Sequence, residues 1–312
     1  MGATPSNADR QLAELLQWCA AVVGPCGLLS DHRRAHPGER SAVSRLRTAC
    51  GYAYLKTYRD ATLWASEAHA YQCWAPAFGD YAPRLLAVRA QQPLAVLMGE
   101  LPGRLLEEVR LDLPHERAAW RAAGQALAGL HELASGEWFG PCRQDGTCAG
   151  TPVYDARQYV RLEFEDLLER GQRGGFLGPD ELDVVRAACR MLPAFAGERP
   201  RPCHRDYCPA NWLVSQHGDW AGVIDFEFAR WDVRAADFTR YPDWDWISRP
   251  DLVAAFFEGY GRNFTPAEEQ QRLVEHVLYA LGAIVWGCEN AYFGFAAEGR
   301  QALRHLAGLV AR

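Results

Sequence analysis

The sequence predicts an α+β chain of two lobes, a small strand-rich N-terminal lobe and a larger helical C-terminal lobe. Three observations predict it. Up to Met98, apolar residues alternate in short runs, the period of half-buried strands. Gly99-Glu100-Leu101-Pro102-Gly103 then breaks the pattern with residues that interrupt strands and helices alike. Beyond it the apolar period lengthens to the helical one, most clearly over Arg117–Leu133. The expected lobes are therefore 1–98 and 104–312, joined by a hinge at 99–103. Hydrophobic residues make up 49% of the 312 residues, enough for a substantial core.

The elements follow in order. Residues 8–23 place Leu12, Leu15, Leu16 and Cys19 at helical spacing. Residues 26–57 read as three strands, separated by Pro37-Gly38-Glu39-Arg40 and by Cys50-Gly51. Thr62–Trp74 reads as a helix with Trp64, Glu67, Tyr71 and Trp74 on one stripe. A carboxylate on an aromatic stripe is costly to bury unless it is paired, and Lys56 is the obvious partner. Pro83–Arg89 and Pro93–Met98 read as two more strands. After the hinge, helices are expected at 117–133, about 155–170 and 179–196, with a Gly- and Pro-rich loop over 134–153. The segment 203–228 reads as a loop and a β-hairpin turning at Gln216-His217-Gly218-Asp219. The remainder is helical and Trp-rich, through Trp244, Trp246 and Trp286.

The net charge of −6 argues against nucleic acid as the main partner and permits a cationic substrate. No apolar run reaches transmembrane length and no signal peptide opens the chain, so the expectation is a cytoplasmic protein with no membrane partner, monomeric or homodimeric. The ten cysteines are irregularly spaced. Cys142 and Cys148 flank a Gln-Asp-Gly turn, but no second ligand pair is near in sequence, which favours free thiols.

Two features carry chemistry. One is Cys203-His204-Arg205-Asp206-Tyr207-Cys208-Pro209-Ala210-Asn211, followed by Val223-Ile224-Asp225-Phe226. The spacing is H-x-D-x-x-x-x-N, a hairpin, and an apolar strand ending in Asp. Phosphoryl transfer from a nucleotide needs these groups in this order: one Asp to receive or orient the acceptor hydroxyl's proton, an Asn and a second Asp to hold Mg²⁺ against the phosphates. The chain has only four Asn, at 7, 211, 263 and 290, which makes a chance match improbable. The other feature is Lys56, the one lysine among 33 basic residues. The Arg bias suggests a GC-rich coding composition, against which a lone Lys marks a site where a compact point charge is needed and a planar fork is not. Lys56 lies in the strand-like Tyr52-Ala53-Tyr54-Leu55-Lys56-Thr57, and a strand lysine paired with a helix Glu is the arrangement that grips nucleotide phosphates.

With these residues in view, the chain from about 40 to 260 resembles the aminoglycoside phosphotransferase family, the small-molecule branch of the protein-kinase-like fold that also holds choline kinases. The likeness rests on Tyr-Leu-Lys56, Glu67, Leu-Met98-Gly-Glu100-Leu-Pro-Gly, Ala-Leu-Ala-Gly-Leu-His131, the His204-to-Asn211 loop and Ile224-Asp225-Phe226-Glu227. The resemblance implies a bilobal fold binding ATP or GTP with Mg²⁺. By it Asp206 is the catalytic base, Asn211 and Asp225 are metal ligands, Lys56 grips the phosphates with Glu67 behind it, His204 supports the loop, and backbone groups near Met98 and Glu100 take the adenine edge. Asp237 is expected to brace a loop or cap a helix.

Three departures from the family pattern stand out. Arg205 occupies the place where the loop usually has Gly. No G-x-G-x-x-G covers the phosphates, so Ser41-Ala42-Val43-Ser44 is expected to serve there. Asp225-Phe226-Glu227 replaces Asp-Phe-Gly, which suggests a constitutively assembled site. No segment ending in Ala-Pro-Glu is present, which argues against a protein kinase, and the intact motif argues against a silent pseudokinase.

The acceptor is less legible. Asp243, Asp245, Glu289 and Asn290 suit a polyamine, and Trp246 and Trp286 suit a flat ring or the apolar face of a sugar. The expected acceptor is a hydroxyl on a small molecule, an antibiotic such as an aminoglycoside or a nucleoside compound. A kinase of choline or a thiosugar is the alternative.

Overall fold

The computed structural model describes residues 7–32, 40–239 and 248–311. Its N-terminal part is a five-stranded antiparallel sheet in the order β1-β2-β3-β5-β4. The strands are β1 (Cys26–His32), β2 (Ser41–Thr48), β3 (Gly51–Tyr58), β4 (Leu85–Arg89) and β5 (Leu94–Gly99). Helix α1 (Asn7–Val23) covers one face, with Leu15 and Cys19 against Leu46, Ala53, Leu55, Ala95 and Leu97. Side chains alternate along a strand, so Lys56 and Tyr58 of β3 point to the opposite face. There Tyr58, Val96 and Met98 join the core under helix α2 (Ala61–Cys73). Asp60 caps α2 by accepting from the amides of Thr62 and Leu63.

The C-terminal part is helical: α3 (Leu113–Leu133), α4 (Ala156–Arg173), α5 (Pro179–Arg190), α6 (Pro250–Tyr260), α7 (Pro266–Glu289) and α8 (Phe293–Val310). Helix α3 starts four residues before the periodic stretch, because Asp112 caps it and Pro114 suits a first helical turn. It lies hard against α6. A Cβ on Gly124 would come within 2.0 Å of the Phe256 carbonyl oxygen, and one on Gly259 within 1.8 Å of that of Arg121. Fully buried Trp120, Trp212, Tyr207, Phe238 and Phe256 form the centre of this packing. A second core joins α4, α5, α7 and α8 around Phe164, Phe195, Leu281 and Ile284.

Between the helices run short strands: β6 (Arg104–Leu105), β7 (Arg201–Cys203), β8 (Trp212–Val214), β9 (Trp220–Val223) and β10 (Arg230–Asp232). Strands β6, β8 and β9 make one small sheet and β7 pairs with β10. The expected hairpin is β8–β9. Pairs too short for a periodic signal, β7–β10 and the bridges Phe139–Val153 and Gly140–Trp231, tie the 134–153 segment down. Among the described residues no helix is long and apolar enough to cross a membrane.

Candidate active site

The β7–β10 pair and the β8–β9 hairpin hold the two halves of the motif together. The loop 204–211 leaves β7. Asn211 at its end accepts from the Ile224 amide at 3.0 Å, one residue before Asp225. His204 is buried between these halves. Its Nδ1 accepts from the Asp206 amide at 3.3 Å, so its Nε2 carries the proton and donates to the Ile224 carbonyl at 3.1 Å. Burial lowers its pKa, which keeps it neutral. The Asn211 side chain turns its Nδ2 to the Asp206 carbonyl oxygen, at 2.9 Å, and to its Oδ2, at 2.7 Å. That fixes the Asp206 carboxylate and leaves the Asn211 carbonyl oxygen as the atom able to face a cation.

Lys56 lies at the centre of a second group. Its Nζ is 2.6 Å from Asp225 Oδ1, 2.7 Å from Glu67 Oε2 and 2.9 Å from Glu227 Oε2. It is 3% exposed and Glu67 fully buried. Tyr58 donates to Glu67 Oε2 at 2.6 Å, and the Phe226 amide to its Oε1 at 3.2 Å. Burial opposes the charge on Lys56, but Asp225, Glu227 and Glu67 outweigh it and raise its pKa well above the usual value. Glu67 is pushed by burial up to about 7, against the pull of Lys56. Burial works against the Asp225 carboxylate too, yet Lys56 brings it below its ordinary range. Removing one partner from so buried a set costs about 3–5 kcal/mol.

Glu227 is a site residue that motif reasoning named but gave no role. It reaches Lys56 and accepts from the Ser41 hydroxyl at 2.8 Å, so one carboxylate links β2 and β3 to the helical part. Glu67, Asp225 and Glu227 bring oxygens within 4.8 Å of one another, and the Lys56 ammonium sits among them.

Asp237 anchors the loop from beneath. Its carboxylate accepts from the His204 amide at 2.9 Å and the Arg205 amide at 2.5 Å, and from His131 Nε2 at 2.9 Å. Asp225 and Arg205 both have φ of +69°, the left-handed region that costs a side chain about 1–2 kcal/mol. These bonds hold the turns in place.

The other expected site residues are placed as follows. Ser41-Ala42-Val43-Ser44 is the first half of β2, with all four residues paired to β3 and Val43 and Ser44 paired to β1 as well. Residues 33–39, between β1 and β2, lie outside the described residues. The amides of Gly99 and Glu100 are not free to meet an adenine edge. They donate to the carbonyls of Arg84 and Tyr52, and the Glu100 side chain pairs with Arg45 at 2.5 Å. Met98 is buried in β5 opposite Tyr54. Glu289 is held in the fork of Arg170, at 3.0 and 2.6 Å, and Asn290 caps α7 by donating to the Trp286 carbonyl at 2.9 Å. Trp286 instead joins Tyr292 and Phe295 in an aromatic cluster, with ring centroids 6.2 and 5.7 Å away. Asp243, Asp245 and Trp246 lie outside the described residues.

A sheet carrying a buried Lys–Glu pair, set against a helical part carrying Asp206, Asn211 and Asp225, defines a small-molecule kinase. The chain belongs to the aminoglycoside phosphotransferase (APH) family, described as "Phosphotransferase enzyme family", whose model matches residues 32–272. No curated protein matches by sequence. Solved structures match over nearly the whole chain at low identity. A thermostable mutant of aminoglycoside phosphotransferase APH(4)-Ia, in complex with ADP and hygromycin B, is 13% identical with a TM-score of 0.71, over 94% of this chain and 98% of that one. The GDP complex of aminoglycoside 2′-phosphotransferase-IIIa is 15% identical with a TM-score of 0.68, over 97% and 99%. The gentamicin complex of APH(2″)-IIa is 14% identical with a TM-score of 0.62, over 97% of each chain.

Proposed function

We propose that this chain transfers the γ-phosphoryl group of ATP or GTP, with Mg²⁺, to a hydroxyl of a small antibiotic. The observation that carries the reading is the meeting of Lys56, Glu67 and Asp225 from three distant stretches within 2.7 Å contacts. In this reading the lobes are 1–98 and 104–312, with the nucleotide against the hinge at 99–103. Lys56 holds the phosphates, Glu67 and Tyr58 hold Lys56, and Ser41 steadies Glu227. The Gly99 and Glu100 amides being taken and Pro102 having none, the Leu101 amide is the donor from 99 to 102 that suits an adenine or guanine edge. Asn211 and Asp225 would hold Mg²⁺, which when bound supplies charge to the phosphate oxygens. Asp206, its carboxylate fixed by Asn211, orients and accepts the proton of the acceptor hydroxyl.

Structural neighbours that bind hygromycin B and gentamicin support an antibiotic acceptor. Glu289 is neutralised by Arg170, so of the acidic residues named for a polycation only Asp243 and Asp245 keep that role. The aromatic cluster around Trp286 favours an acceptor with a flat or apolar face. A cytoplasmic enzyme, monomeric or homodimeric, is in keeping with this chemistry. The test is incubation of a panel of aminoglycoside, nucleoside and peptide antibiotics, with choline and a thiosugar, in ATP and Mg²⁺. A phosphate mass gain on an antibiotic, together with raised inhibitory concentrations in a susceptible bacterium, is expected. Gain on choline or the thiosugar alone would reassign the acceptor.

A further inference from the structure

Beneath Asp206 lies a second cluster of charges that the phosphotransfer chemistry above does not use. Arg205 carries a side chain at φ +69°, where glycine is at ease and other residues are strained. Such strain persists where surrounding contacts fix it. The Arg205 guanidinium is sunk among three carboxylates from three elements. Its Nη1 is 3.0 Å from Asp232 Oδ2 of β10 and 3.7 Å from Glu275 Oε2 of α7, and its Nη2 is 3.5 Å from Glu163 Oε2 of α4. Arg230 Nη1 faces the other Glu163 oxygen at 3.0 Å, and Tyr159 donates to Asp232 at 3.0 Å. Asp232 is fully buried and Glu275 nearly so, with one Glu275 oxygen unpartnered. The loop is thus gripped twice, its amides by Asp237 and its Arg205 side chain by α4, β10 and α7.

We propose that Arg205 is a positioning residue for Asp206, its guanidinium anchoring the left-handed turn that aims the neighbouring carboxylate. This rests on the reading that Asp206 acts on the acceptor hydroxyl. The carboxylates built into the chain neutralise the arginine permanently, so the loop needs no added charge to set it. Two arginines, at 205 and 230, face Glu163, Asp232 and Glu275, with the Tyr159 hydroxyl and the buried Cys203 thiol as the other titratable groups alongside. Burial, and then Asp232, raise Glu275 well above the carboxylate range, so it holds a proton and the remaining charges balance. Burial pushes Asp232 up to about 6, with Arg205 opposing. Without Arg205 the nest has one negative charge too many, and Asp232 rises further.

Arg205→Gly and Arg205→Lys test this together. Glycine takes φ +69° freely, so the first variant relieves the backbone while removing the anchor. It is expected to lower kcat by about 10- to 100-fold, the scale of a misplaced reacting group, with nucleotide KM within about twofold. Amide hydrogen exchange over 204–211 should quicken by about tenfold or more, as for a segment released to open locally. An acid whose folded pKa is raised stabilises the fold in acid and loses that contribution as pH rises through the folded value. The melting temperature of Arg205→Gly should therefore fall increasingly below wild type above pH of about 6. Arg205→Lys restores the charge and hence the pH profile, but it lacks the fork that sets Nη1 on Asp232 and Glu275 and Nη2 on Glu163, so kcat and exchange stay impaired. Wild-type kcat and wild-type exchange in Arg205→Gly would overturn the proposal. If the wild-type enzyme phosphorylates nothing in the panel, exchange and the pH profile still decide whether Arg205 holds the loop, and the failure belongs to the role given to Asp206.

Discussion

The residues proposed for the donor side and for the acceptor side of this site are used by opposite means. On the donor side Lys56, Glu67, Asp225 and Glu227 come from β3, α2 and the segment after β9, and converge on one ammonium within 2.9 Å. Of the residues proposed for the acceptor, Glu289 pairs with Arg170, Asn290 closes its own helix, and Trp286 packs edge-on against Tyr292 and Phe295. A nucleotide's phosphates are the same in every kinase, so the groups that meet them are fixed in type and spacing. An acceptor is met by shape, through residues that also pack or cap. The comparison therefore predicts steep, residue-specific losses at the groups that meet the phosphates and the transferred proton, and graded ones at the residues that would meet the acceptor's body.

The largest effect is expected at Asp206. Asp206→Asn keeps the shape and the Asn211 contact but removes the base, so kcat should fall by about 10²–10⁴ with nucleotide affinity nearly unchanged. Isothermal titration of nucleotide beside steady-state kinetics separates the two. Loss of nucleotide binding would move Asp206 to the donor side of the comparison.

Lys56→Arg comes next. The charge survives, but a planar fork replaces a point charge that sits within 2.9 Å of three carboxylates. A fall of about 10- to 100-fold in kcat/KM for ATP is expected, about 1.4–2.8 kcal/mol. Wild-type kinetics would show that only charge matters there. As the sole lysine, Lys56 should also be the one side chain labelled by an acylating ATP analogue, with excess ATP protecting it.

These two residues were legible because their spacing is local or their chemistry is rare. The strand alternation around Lys56 and the H-x-D-x-x-x-x-N loop each lie within a dozen residues. The five-stranded sheet and the long helices followed from periodicity for the same reason. What sequence left dark depends on tertiary neighbours. Nothing in the local pattern says that Ser41 bonds Glu227, 186 residues away. Glu289 looked available because Arg170, 119 residues earlier, is not its neighbour in sequence. The three-residue strands β7 and β10 are too short for any period, although they place the loop.

The acid limb of stability sharpens the comparison from the loop's underside. His131, His204 and His276 are buried, and burial lowers the pKa of each, that of His276 to about 3. Asp237 lies below its ordinary range: burial opposes this, but the hydrogen bond from His131 prevails. A group with a depressed folded pKa contributes stability above its unfolded value and loses it as pH falls towards the folded one. All four act in the same direction. Stability should fall steadily from pH of about 6.5 downward, by about 1.4 kcal/mol per pH unit for each histidine in its window. Urea titrations between pH 7 and 4 measure this. His276→Phe should flatten the slope, and an unchanged slope would mean that His276 takes up its proton equally in the folded and unfolded states.

The smallest effect is expected at Trp286, and it is the one that decides how the acceptor is held. Trp286 shares its cluster with Phe295 and with Tyr292, which is 47% exposed, so the cluster presents an aromatic edge to solvent. An aromatic contact contributes about 0.5–1.5 kcal/mol beyond its buried area, so Trp286→Ala should raise acceptor KM by about 2- to 10-fold and leave the ATP constants alone. A ring held this way is insensitive to salt. Exposed charge pairs are screened, so a polycation held by carboxylates loses affinity as ionic strength rises. Measuring acceptor KM for wild type and Trp286→Ala at low and high salt therefore separates the two modes. A salt-independent KM that rises in the variant places the acceptor on the rings. A KM that climbs with salt and ignores the substitution returns it to Asp243 and Asp245, and makes the acceptor side as electrostatic as the donor side.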